Sequence, residues 1–522
     1  MAIAWVVLLC ARFVDAQSCP GDCNGDGDVS INELIIGVNI ALGAQAVTAC
    51  AAMDSNGDGA VTVNELIRAV SMALNGCPAR TVTPTAAATD TETPTPPPAT
   101  DTPAATPTAP PATETAAATP LARLCDLPGS IRMTDNGVVV VPGGQASAPD
   151  FRFMQLPVGF CAHYFATIGN TRQLRFAPGG ELFVASPTTP TTGGGQGGRS
   201  AIMVLADDDR DGYADAPITF LGGTSAPPSL RSTQGLLFTG GFLYYQNGTK
   251  IMRVPYATGD RAPSGPSEQM ADITYYFSSL HWPKTLDAAD DGTIYVANGG
   301  DQGEACDPTR PFHGGIRKLD GTPDGGPVAK GFRNPISVRC ARGYHRCFAV
   351  ELAKDFTTFQ GGREKLIEIH QGDDWGFPCC ATKDLPYVGI QPAPDCSGVA
   401  ADSDSFMIGE TPFDVDFETG KWPAPWAHRA YLPLHGVAGA WDGARVVAIA
   451  MDPTTGELLP ASTLPAGPPG SVVDFAIGWD DGKRSHGRPA NVAFAADGRL
   501  FLGNDNTGDI VWIAPLDLQS AP

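Results

Sequence analysis

From about residue 122 onward, short runs of apolar residues, many with a period of two, alternate with turns rich in glycine, proline and aspartate, a pattern that predicts strands rather than helices. One unit recurs: an apolar run, an Asp-Gly or Gly-Gly turn, then an apolar-aromatic run. It stands at LRFAPGGELFVAS (174–186), LLFTGGFLYYQN (236–247), LDAADDGTIYVAN (286–298) and VAFAADGRLFLGN (492–504). Hairpins repeated at such intervals predict the blades of a β-propeller. Weaker copies around 336–350 and 432–450 bring the count to about six, and GDIVWI (508–513) supplies a closing strand. The expected fold is therefore all-β, a six-bladed β-propeller over 122–522.

The first 121 residues read differently. An apolar run at 2–9 (AIAWVVLL) is too short to span a bilayer and is followed by Val14-Asp15-Ala16, a pattern suited to cleavage. Residues 1–16 are thus expected to be a signal peptide, although the usual positive start is missing. The chain is expected to be exported, extracellular or periplasmic, with no membrane span. Between 81 and 120, 35 of 40 positions are Thr, Pro or Ala, so 79–121 is expected to be an extended linker.

Between them, residues 17–78 carry two copies of a calcium loop, DCNGDGDVSINE (22–33) and DSNGDGAVTVNE (54–65), each running into an amphipathic helix. In the first, Asp22, Asn24, Asp26, Ser30 and Glu33 take ligand positions one, three, five, nine and twelve; in the second, Asp54, Asn56, Asp58, Thr62 and Glu65 do so. Asp28 and Ala60 offer backbone carbonyls, and Gly27 and Gly59 make the sharp turns. This small helical module resembles the dockerin modules of secreted bacterial enzymes, which implies docking to a cohesin-like protein. Dockerins usually end the loop with Asp, where this chain has Glu. A calcium-stiffened cap without a partner is the other reading. A further acidic turn, DDDRDGYAD (207–215), places Asp207, Asp209, Asp211, Gly212 and Asp215 in calcium-loop register, with Ile218 where the twelfth ligand belongs; it reads as a structural ion site or a solvated turn.

The formal charge of −22 excludes nucleic acid as a partner. It also requires that any anionic ligand be caught by locally placed arginines and lysines. Thirteen cysteines leave an even twelve once Cys10 is removed with the leader, consistent with disulfides in an oxidising compartment. Cys340 and Cys347 could close a hairpin, whereas adjacent Cys379 and Cys380 are expected to bond elsewhere, with Cys396 and Cys306 as candidates.

The stretch GFRNPISV (331–338) puts a guanidinium and an amide at the entrance of an apolar strand. Pro335 pins them on a loop, because proline gives no N–H and keeps Asn334 out of the helical region. Arg333 could simply cap loop carbonyls; alternatively, the loop holds something planar and anionic.

With HWPKTLDAADDGTIYVANGGDQG, KGFRNPISV, GGREKLIEIHQGDDWGFP, LHGVAGAWDGARVVAI and GRPANVAFAADGRLFLGNDNTGDI in this order, the chain from about 150 to 515 resembles the soluble quinoprotein sugar dehydrogenases (glucose, sorbosone and pyranose dehydrogenases). The resemblance implies pyrroloquinoline quinone (PQQ) and Ca2+ as cofactors, a sugar or polyol substrate, and an electron acceptor it does not name. It places His281 as the base that takes the hydroxyl proton, a task suited to imidazole. It places Arg333 and Asn334 on the quinone, where an arginine fork suits planar carboxylates. Lys284 and Arg488 add positive charge, and His435 is a further pocket candidate. Calcium, a Lewis acid, would sit on backbone carbonyls of Gly361 and Gly362, where the family has Gly-Pro. The chain departs from soluble glucose dehydrogenase in having only Arg445 near the place of its late-blade lysine, and Ala490 in place of the second residue of its Arg-x-Arg pair. Trp282, Trp375, Trp422, Trp426 and Trp441 could line a sugar groove or pack between blades. Two other functions stay open: a non-catalytic propeller that binds carbohydrate or protein, and a calcium-dependent lactonase.

Overall fold

A computed structural model describes residues 19–24, 29–42, 45–55, 59–62, 65–66, 69, 72–73, 123–186, 199–224, 229–274, 281–300, 305–307, 313–353, 364–436, 442–459, 472–481 and 486–519. The chain divides into two units, Met1–Glu114 and Thr115–Pro522. The expected leader and linker, and the ligands Asp26, Asp28, Asn56, Asp58, Gly361 and Gly362, lie outside the described residues.

The larger unit is a six-bladed propeller of antiparallel four-stranded sheets. The innermost strands of blades 1 to 6 are Arg172–Phe176, Leu236–Thr239, Leu286–Ala288, Pro335–Ala341, Asp416–Phe417 and Arg488–Phe494. In the second blade Gly240 and Gly241 both take positive φ, 59° and 77°, which gives a two-residue hairpin whose twist matches its strands. An apolar cluster lies between each pair of neighbouring blades, as where Leu236 and Tyr245 of blade 2 meet Phe183 and Val204 of blade 1. Period-two strands thus become buried on both faces once blades stack. Trp422, packed against Phe160, Tyr431 and Phe475, belongs to such a cluster rather than to a groove.

The ring closes across the chain's two ends. The last blade's strand Asp509–Pro515, which contains most of the anticipated closing segment, pairs with Phe160–Thr167 from before blade 1. The hairpin Ile131–Thr134 and Gly137–Val140 extends that sheet to six strands. Disulfides join Cys125–Cys161, Cys306–Cys379, Cys340–Cys347 and Cys380–Cys396. The adjacent cysteines therefore do bond elsewhere, and Cys340–Cys347 does close its hairpin.

In the smaller unit one α-helix is described, Ile31–Ala41, with Ser30 and Glu33 forming a capping box. Glu33 Oε1 accepts the N–H groups of Cys23 and Asn24 (2.9 and 3.2 Å), and Oε2 accepts the Ser30 backbone N–H and hydroxyl O–H. Glu65 repeats the arrangement on Thr62 N and Oγ1, both at 2.9 Å. Each loop thus folds onto its own twelfth residue, and Cys23–Cys50 ties the first loop to the segment before the second.

Candidate active site

In every blade the innermost strand begins, and the next one ends, at the same end of the propeller. The ladders make this explicit: Pro335 faces Glu351 and Arg488 faces Asp505. Residues at these strand ends gather round one mouth of the central channel. His281 and Lys284 lead into blade 3, Arg333 and Asn334 into blade 4, and Arg488 opens blade 6. His435 follows the second strand of blade 5, Arg429–Leu434. All six sequence-expected pocket residues therefore lie at this mouth.

On the side of blades 3 and 4, His281 is 4% exposed and its Nδ1 lies 3.3 Å from Gly300 O. A carbonyl can only accept, so Nδ1 carries the hydrogen and Nε2 is left basic. Gly300 N–H donates to Arg333 O at 2.7 Å. Gly299 is the spacer between His281 and Asn334: a Cβ there would lie 2.7 Å from His281 Cβ and 3.0 Å from Asn334 Oδ1. The Arg333–Asn334 loop is fastened to the end of the adjacent strand, since Arg333 N–H donates to Glu351 Oε1 (2.7 Å) and Leu352 N–H to Asn334 O (3.0 Å). Arg333 NH1 also donates to Ala353 O at 3.3 Å, a form of the carbonyl-capping role open from sequence. Lys284, fully buried, donates from Nζ to Asn298 Oδ1 at 2.5 Å. Burial, with the Arg317 charge adding to it, pushes the Lys284 ammonium down to about 7.

On the side of blades 5, 6 and 1, Asp505 is the hub. Its Oδ2 lies 2.9 Å from Arg172 NH1 and 3.0 Å from His435 Nε2. Burial opposes its ionisation, yet Arg172 and then His435 hold Asp505 well below the usual carboxylate range. Burial pushes His435 down to about 4, so at neutral pH it is an uncharged imidazole donating from Nε2 while stacked on Phe413 at 4.2 Å. Arg488 donates to His435 O and Gly436 O, both at 2.6 Å, and burial lowers it to about 10.

Sequence reasoning missed Arg172, Asn298, Glu351 and Asp505. The signal for the last three is one that any strand end shares: in YVAN, FAVE and FLGND a polar residue ends the apolar run in the hairpins of blades 3, 4 and 6.

Among the described residues, Arg172, Lys284, Arg333 and Arg488 bring basic groups together at this mouth, beside Glu351 and Asp505. Gln173 Nε2, Gln234 Oε1, Glu351 Oε2 and Asn504 Nδ2 are buried with no hydrogen-bond partner among the described residues. Unspent polar groups beside clustered cations suit a planar polycarboxylate. The other mouth differs. Its cavity of about 400 Å³ is lined by Arg175, Asp287, Arg339, Arg342 and Asp416, among others. There Asp287 pairs with Arg175 and Arg342 and accepts Cys340 N–H, while Asp416 accepts Phe494 N–H. These carboxylates tie blades together. At the rim, Asp207, Asp209 and Asp211 bring carboxylate oxygens within 4.8 Å of one another, but Gly212 and Tyr213 N–H groups already bond to them.

No protein-family model matches the chain, and no curated protein matches it. Solved structures do. The calcium structure of a Trichoderma reesei protein of carbohydrate-active enzyme family AA12 is 18% identical, with a TM-score of 0.53, over 71% of this chain and 98% of that one. The iodide structure of the Trichoderma reesei AA12 enzyme gives 19% and 0.52 over 72% and 99%. The holo form of the pyranose dehydrogenase PQQ domain from Coprinopsis cinerea gives 16% and 0.52 over 71% and 98%. At these identities the likeness establishes the shared propeller fold and nothing finer.

Proposed function

We propose that the protein is an exported quinoprotein oxidoreductase that oxidises a sugar or related polyol. The observation that carries this reading is the convergence, at one mouth, of a buried imidazole with a basic Nε2 and a ring of arginines and lysine suited to a polycarboxylate. Bound PQQ with calcium would supply the hydride acceptor, its carbonyl polarised by the metal. His281 Nε2 takes the substrate's hydroxyl proton, and the Gly300 carbonyl holds the ring in that tautomer. Arg333 and Asn334, with Lys284 and Arg488, hold the quinone carboxylates and ring. Gly361 and Gly362 are the candidate calcium ligands, by resemblance alone. The four described disulfides of the larger unit favour an oxidising compartment. The sugar dehydrogenase domain among the similar structures favours a sugar substrate.

The test is to add PQQ and calcium to the purified protein and follow dye reduction across a panel of sugars and polyols. Reduction with at least one, dependent on both additions, is expected; none anywhere would leave a binding propeller as the better reading. In the same preparation Arg333→Ala should weaken quinone binding by about 1.5–3 kcal/mol, the worth of a charge-assisted contact, with the propeller still folded. An unfolded variant would mean that Arg333 serves the fold alone.

The smaller unit we read as a dockerin-like calcium pair that could dock a cohesin-like protein. A unit this small depends on its ions, so residues 17–78 should lose helical circular dichroism when chelator is added and regain it with calcium. Identical spectra in both conditions would refute the calcium assignment.

A further inference from the structure

A buried carboxyl group at the end of a strand in blade 4 has no part in the chemistry above. Glu351 closes the strand Arg346–Glu351, is 5% exposed, and uses one oxygen, Oε1, to accept Arg333 N–H. From there hydrogen bonds continue residue by residue: Arg333 O accepts Gly300 N–H, and Gly300 O accepts His281 Nδ1–H. Two residues, Arg333 and Gly300, thus connect a carboxyl group in blade 4 to the imidazole that leads into blade 3. We propose that Glu351 is a positioning residue for this mouth, fixing the Arg333–Asn334 loop and, through Gly300, the orientation of the His281 ring. The inference rests on reading the mouth as the quinone site, but its geometry exists in the protein alone.

Among the described residues, the charged groups that act on Glu351 are Arg333 on the loop and Lys365, its cross-strand partner, which itself pairs with Asp402 at 2.9 Å. Burial outweighs both cations and pushes Glu351 up to about 8, so at neutral pH it acts as an uncharged acid. An uncharged acceptor adds no negative charge to the mouth. It also makes glutamine a close mimic.

The experiment uses the full chain. In Glu351→Ala, hydrogen exchange at the Arg333 and Gly300 amides should speed up by about tenfold or more, the loss of one buried bond, while Glu351→Gln keeps both protected. Titrated with PQQ and calcium at pH 7, the alanine variant should bind about tenfold or more weakly and the glutamine variant about as well as wild type. Unchanged amide protection in Glu351→Ala would overturn the proposal. Should that variant not fold, Glu351→Gln decides. A carboxyl group raised in the folded state costs stability as pH climbs from its ordinary 4.5 towards 8, so wild type should lose ground to Glu351→Gln across that window. Parallel stability profiles of the two would overturn it as well. If wild type takes up no quinone, the oxidoreductase reading fails, while the exchange result still decides the role of Glu351.

Discussion

Glutamine in place of His281 is expected to leave quinone and sugar binding intact and to cut turnover by about 10²–10⁴-fold, the usual worth of a positioned general base. Glutamine keeps much of the size and polarity of the ring, and its amide N–H can still reach the Gly300 carbonyl. It has no basic nitrogen to replace Nε2. His435 does not substitute, because its Nε2 is committed to Asp505 and burial holds the ring near 4, too weakly basic for the task. Rapid mixing of quinone-loaded protein with an active sugar reads the step directly. Cofactor reduction at the wild-type rate in His281→Gln would remove His281 from the chemistry and send the search for a base elsewhere.

Asp505→Ala should be the most damaging single change to the fold at this mouth. Arg172 and Asp505 are a buried pair, 10% and 5% exposed, and deleting the carboxylate strands a guanidinium that pairs with no other carboxylate among the described residues. Breaking such a pair costs about 3–5 kcal/mol. His435 loses its acceptor in the same stroke. Because Asp505 titrates far below its ordinary 3.8 in the folded state, its contribution is fully present above that value and fades only as pH falls through the folded one. Denaturant midpoints of wild type and Asp505→Ala should therefore be well separated at pH 7 and at pH 5, and converge in strong acid. Coincident midpoints at pH 7 would show that the pair contributes no net stability.

The blades were legible where a tight turn sits between two strong apolar runs, as at Gly240–Gly241. Blade 4 was fainter for a physical reason. Its ladder is bulged between Pro335 and Ser337, and its outermost strand, Phe406–Met407, arrives only after a long excursion that includes the Cys379–Cys380 pair. The site was legible where it lies on loops of unusual composition, such as Arg333-Asn334-Pro335. Glu351 and Asp505 were not, because a polar residue ending an apolar run looks like any strand end. What singles them out is the neighbour that ring geometry supplies: Asp505 meets Arg172 only when the last blade closes on the first. In the smaller unit Glu33 and Glu65 stood out in sequence because their contacts with Ser30 and Thr62 are set by a local turn rather than by distant packing.

The seam that joins the ring also sets how the domain is held. Arg123 bridges Gln519, and the Cys125–Cys161 disulfide cuts the intervening segment out of any mechanical path. A pull on the chain at Arg123 would pass through that sulfur bridge into the strand Phe160–Thr167 without loading the exposed valine hairpin or the residues around Phe151. That strand is the one whose pairing with Asp509–Pro515 completes the circle. The joint that makes the propeller a ring is thus also its handle, and reducing one covalent bond would move the load off the seam and onto the hairpin.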